Sequence, residues 1–216
     1  MDAVDEQAVI DLLGVLSYAE LTAFDRLAED ARLAPTLAGR AALAQMAAAE
    51  IDHHGRLTAR LTELGADPTV AMTPFVPALD AFHDSTRPRT WLEGLVKAYV
   101  GDGLASDFYR EIAAHLPEPD RGLILDVLAD TGHADFAVRE VRAAIASNGT
   151  LSGRLALWGR RLVGEAMRQA QAVIAERDQL ATLILEGTGD LTGIGRLVER
   201  ITSAHTERMR TLGLNP

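Results

Sequence analysis

Two stretches of the chain repeat one arrangement eighty positions apart: Glu50-Ile51-Asp52-His53 and Asp130-Thr131-Gly132-His133. Each sets an acid and a histidine three residues apart inside a segment with a helical apolar period. Side chains at i and i+3 of a helix share a face, so each pair can grip one cation. The repeat therefore asks for helices at both places and for their two faces to meet. When two further helices each add a carboxylate, that is how a four-helix bundle holds two metal ions.

The rest of the chain supplies the helices. Residues 6–33 carry apolar positions at Leu13, Leu16, Ala23 and Leu27, and Pro35 follows. A second helix is expected from Thr36 to Leu64, closed by Gly65. Between 65 and 89 lie Pro68, Pro74, Pro77 and Pro88, too many for one continuous helix, although a short one fits from Phe75 to His83. A third helix, capped by Thr90, is expected to reach Leu116, and Pro117 and Pro119 mark a turn. A fourth runs from Asp120 to Ser147, where Asn148-Gly149 breaks the chain. A fifth from Ser152 to Leu185 and a sixth from Leu191 to Leu212 complete it, separated by Gly187-Thr188-Gly189-Asp190. No segment alternates as a strand does. The expected class is all-α, one domain over 1–216. A bundle over 6–147 is followed by two additional C-terminal helices over 151–213. Short turns make two antiparallel hairpins, and the long segment between them is a single crossover, which is the ferritin-like topology.

Composition fits this reading. The chain has 216 residues, enough for one core, with 48% hydrophobic but only 5% aromatic residues. Ala, Leu and Val must then fill the interior. No run of about twenty apolar residues lacks a charge, so no membrane span is expected. The start, Met1-Asp2-Ala3-Val4-Asp5-Glu6, is acidic, unlike a signal peptide, and a cytoplasmic location is expected. Cysteine is absent, which excludes disulfides and thiolate metal ligands. A formal charge of −10, with Lys97 the only lysine, disfavours non-specific attraction to nucleic acid.

Helix register brings further acids to the level of the repeat. Glu20 lies thirteen residues before Leu33, and Glu50 fourteen after Thr36, so an antiparallel hairpin sets them at one height. Asp102 lies fourteen residues before Leu116, and Asp130 ten after Asp120. Asp102 is the only charge in the seam Trp91-Leu95-Ala98-Asp102-Ala105-Tyr109-Ile112-Leu116. Glu20, Glu50, His53, Asp130 and His133 likewise fall among apolar neighbours. Burying lone carboxylates is costly, so these six should pair or coordinate a cation, and a divalent pair accounts for all of them. His54 competes with His53, Asp107 with Asp102 and Glu29 with Glu20. His54 has no counterpart in the second half, and Asp107 and Glu29 lie on more polar flanks. Acid-x-x-His spacing alone is also common on charged surface helices.

These residues resemble the ferritin-like di-iron carboxylate proteins, whose helices supply Glu, Glu-x-x-His, Glu and Glu-x-x-His. Within them the chain looks most like the MiaE-like, or tRNA hydroxylase-like, bacterial group. The stretches LLGVLSYAELTAFDRLAED (12–30), AYVGDGLASDFYR (98–110), DVLADTGHADFAVRE (126–140) and LALWGRRLVG (155–164) carry this likeness. The resemblance implies two iron ions, with manganese as an alternative, held by Glu20, Glu50, His53, Asp102, Asp130 and His133. Asp stands for Glu twice in the second half, so the second iron should sit nearer helices three and four or bind weakly. Gly101 and Gly103 flank Asp102, which suits either a π-bulge or close helix packing. The chemistry implied is oxygen activation, with dioxygen and an external electron donor as partners. A hydroxylase or monooxygenase comes first; a ferroxidase, or a metal-free scaffold keeping the old residues, are the alternatives. A modified tRNA base as substrate runs against the acidic charge unless Arg154, Arg160, Arg161 and Arg168 form a basic face. Apolar faces on the last two helices would permit a homodimer.

Overall fold

The computed structural model describes residues 6–129 and 133–216, apart from the side chains of His133 and Leu191. Among the described residues the secondary structure is helical throughout, with no strand. Helix α1 spans Glu6–Asp30 and passes through one 3-10 turn, Ala31–Leu33, into α2, Leu37–Glu63. These two form the first hairpin. Thr36 caps α2 by accepting the Gly39 N–H at 3.0 Å. At its far end Gly65 adopts φ +75, and Ala66 N–H and Gly65 N–H return to the carbonyls of Leu61 and Thr62. That is a Schellman closure, and the left-handed residue in it favours glycine.

The crossover carries α3, Pro68–Met72, and α4, Val76–Ser85. It is laid directly on α1. A Cβ on Gly14 would stand 2.4 Å from the Ala71 carbonyl oxygen, so only glycine lets α3 pass. Tyr18 Oη donates to Asp80 at 2.7 Å and ties α1 to α4. Helix α5, Trp91–Ala113, then enters, capped by Thr90 through the Glu93 N–H.

Two expected helices are broken. The fourth divides into α6, Asp120–Val127, and α7, His133–Ser147. At the break the Leu128 carbonyl accepts a hydrogen bond from the Arg110 guanidinium of α5. The fifth divides into α8, Thr150–Glu176, and α9, Asp178–Thr188, so three helices, not two, follow residue 149. Arg177 leaves the helical region at φ −130, ψ 87, and its guanidinium grips Asp11 of α1 at 3.0 and 2.6 Å. Asp11 is buried, so the break follows from satisfying a carboxylate inside the protein. Helix α10, Leu191–Thr211, is capped by Asp190 and packs on α5.

Helix α5 is the central element, with α8 and α10 on one side and α1 on the other. The innermost side chains include Leu12, Leu16, Leu43, Leu57, Leu95 and Leu162, and Phe75 is the one aromatic among the fully buried set. Residues 6–33 form a helix long and apolar enough, by length and composition, to cross a membrane, although Asp11, Glu20 and Asp25 interrupt its apolar run. More than half of that apolar window is buried inside the protein, and Asp11 and Glu20 are buried on it, as in a core helix.

Candidate metal centre

The first hairpin delivers three of the expected ligands to one point. Glu20 of α1 and Glu50 and His53 of α2 bring ligand atoms within 4.8 Å of one another. His53 Nδ1 lies 3.4 Å from Glu20 Oε2 and 3.7 Å from Glu50 Oε2. All three side chains are largely buried. Glu20 Oε2 is buried and makes no hydrogen bond, despite standing in ion-pair range of the imidazole. An unsatisfied carboxylate oxygen facing a second carboxylate and an imidazole is a donor set suited to a divalent cation.

The electrostatics follow from burial. Loss of water pushes the Glu20 carboxyl up to about 9, against a lowering by His53 and with a further rise from Glu50. Contact with Glu20, then with Glu50, pushes the His53 imidazole up to about 10, against the effect of burial. The cluster therefore holds on to protons at neutral pH, and a cation entering it must displace them. His54 is turned away, with Nδ1 2.8 Å from the Ser17 carbonyl oxygen, to which it can only donate.

The remaining expected ligands are differently placed. Asp102 lines the same cavity as the three, but it is exposed and stands outside their cluster. The apolar seam leads to an expectation of burial. Helix α5 stays α-helical through Gly101 and Gly103. A Cβ on Gly103 would meet the Arg208 guanidinium at 2.1 Å, so this glycine serves close packing against α10. Asp130 lies outside the described residues. His133 opens α7, and its side chain also lies outside them. Asp107 pairs with Arg208 at 2.6 Å, and Glu29 with Arg26 at 3.2 Å.

Beside the three ligands runs a cavity of about 340 Å3, within the range of roughly 300–1,000 Å3 usual for small-molecule sites. Its walls are mostly apolar, with Leu12, Ala98, Ala105, Phe108 and Val173 among them. Tyr109 also lines it. Burial and the nearby Glu20 charge push its phenol well above the usual range, so it stays a hydroxyl donor. Four polar residues that the sequence reading passed over, Arg26, Asp30, His83 and Lys97, form one end. The only signal available for Lys97 was its position as a lone lysine amid the apolar residues of α5.

Comparison with known proteins agrees with this architecture. A solved structure from Synechococcus, a protein described as having aldehyde deformylating oxidase activity, superposes with a TM-score of 0.74. The match covers 99% of this chain and 93% of that one at 20% identity, a likeness of fold. No curated protein matches the sequence. A sequence family described as the ferritin-like domain of actinomycetes matches residues 3–187. With most of its length matched, the chain belongs to that ferritin-like family.

Proposed function

We propose that the protein is a di-iron oxidoreductase that uses dioxygen to oxidise an apolar small molecule, most simply as a hydroxylase or monooxygenase. The observation that carries this reading is the buried Glu20–Glu50–His53 cluster opening onto an apolar cavity. Glu20, Glu50 and His53 would hold one iron, and Asp102, Asp130 and His133 would complete the second. Iron there supplies the reduction of dioxygen, with electrons from an external donor. The chain's part is to position and to exclude water. The mostly apolar walls and burial on the first hairpin shield Glu20, Glu50 and His53 from most water, and Tyr109 keeps a proton on its phenol beside Glu20. The solved structure of similar fold, described as having aldehyde deformylating oxidase activity, is in keeping with an oxidative reading.

A hydroxylase acting on a tRNA base, as in the MiaE-like group, is less well supported. Arg154 faces Glu93 at 3.6 Å, Arg160 donates to the Asn215 carbonyl, Arg161 to that of Ser85, and Arg168 pairs with Glu165. These arginines are spent on protein partners. Ferroxidase activity is the other reading of the same ligands.

Two measurements separate them. After expression with added iron and manganese, the purified protein should carry iron, and the absence of both metals would end the enzymatic reading. Oxygen uptake in the presence of a reductant should then rise when small apolar substrates are added. Uptake driven by ferrous ion alone, indifferent to substrates, would mark a ferroxidase.

A further inference from the structure

The apolar cavity does not end in apolar residues. Arg26, Asp30, His83 and Lys97 line both it and an outer pocket of about 180 Å3, so the four form a gate between the two. Arg32, Arg87 and Glu29 complete the polar wall of the outer pocket. That is four cations against two acids, in a chain whose net charge is −10.

Lys97 is the unusual member. It is 7% exposed, and its ammonium donates to the Thr86 carbonyl at 2.9 Å and lies 5.3 Å from the centre of the Phe82 ring. Among the described residues no carboxylate stands within ion-pair distance of it. Asp30 is close enough to raise the ammonium's proton affinity, yet burial outweighs this and brings Lys97 down to about 8. An ammonium has three donors, and burying one with a single hydrogen bond is costly unless a counter-charge arrives. Beside it, Arg26 uses Nη1 on Glu29 and leaves a buried Nε without a partner. His83 Nδ1 is also buried and unpartnered, and burial holds the imidazole neutral, at about 3.

Resting on the reading of this cavity as the substrate site, we propose that Arg26 and Lys97 anchor the carboxylate of an amphiphilic acid whose apolar chain fills the cavity. Glu29 and Asp30 on the same wall favour a monoanion over a dianion such as a phosphate monoester. The anchor is also remote from the metal ligands. Lys97 precedes Asp102 by five residues on α5, about 7.5 Å of helix, and Arg26 follows Glu20 by six on α1, about 9 Å. An acid held this way presents a methylene of its chain to the ligands, and its head group stays away from them.

The test is binding to the full-length, metal-free protein, which separates it from any failure of metal loading or turnover. Dodecanoate and its uncharged counterpart dodecanol, both kept below micelle formation, are titrated against a bound fluorescent apolar dye. Dodecanoate should bind about tenfold tighter or better, the worth of one charge-assisted hydrogen bond. Lys97→Met and Arg26→Met should each bring the two affinities to within about threefold of one another, with an unchanged helical circular dichroism spectrum showing that the variants are folded. Equal affinity of the two ligands for the native chain would overturn the proposal, as would a preference that survives both substitutions.

Discussion

Glu20 shows what the proposed metal site costs a single residue. Its carboxylate is buried with an oxygen left unbonded, an arrangement that weakens the metal-free protein and that a bound cation would offset. Glu20→Gln should therefore lower metal affinity by tenfold or more, while leaving the metal-free protein as stable or up to about 1 kcal/mol more so, measured by denaturant unfolding. The pH dependence has a defined sign. Both Glu20 and His53 have raised proton affinities in the fold, from 4.5 to about 9 and from 6.5 to about 10, so the folded state binds more protons than the unfolded one between those limits. Stability of the metal-free protein falls as pH rises through that window, and by less in Glu20→Gln. Metal binding shows the converse, tightening with pH because protons must leave; titration with manganous ion at pH 6 and 8 reads this directly. Glu20, Glu50 and His53 were legible in sequence because each interrupts an apolar stripe. The exposure of Asp102 was not, since a seam gives a direction on the helix but not what packs over each position along it. Lys97 was also missed, because a lone helical lysine usually extends its charge to water.

At the scale of the element, helix starts were written locally and helix breaks were not. Thr36 and Thr90 sit at the caps, and Gly65 closes α2, all as the sequence indicates. The breaks after Val127 and at Arg177 depend on partners far along the chain, Arg110 and Asp11, which no local period reveals. The second of these is testable. Arg177→Met leaves the buried Asp11 without its counter-charge, with only the Gln7 amide donating to it, and should cost about 3 kcal/mol, seen as a lower midpoint in urea. Adding Asp11→Leu to that variant should recover most of the loss. A steric prediction belongs here as well. Gly14→Ala drives a methyl against the Ala71 backbone, which cannot swing aside, and should cost about 1–3 kcal/mol by thermal unfolding.

For the whole molecule, the ferritin-like architecture explains how one hairpin brings Glu20, Glu50 and His53 together, half of the proposed metal centre, and why a cavity runs beside them. Antiparallel α1 and α2 fix the height of Glu20 against Glu50, and α5, packed on both sides, carries one wall of the cavity from Lys97 to Tyr109. The di-iron reading requires that Glu20, Glu50 and His53 hold metal. Anaerobic titration with ferrous ion measures iron bound per chain. Two equivalents are expected for the native chain, with a marked loss in Glu20→Gln and His53→Ala. No iron above background, or binding unchanged by both substitutions, would contradict that reading.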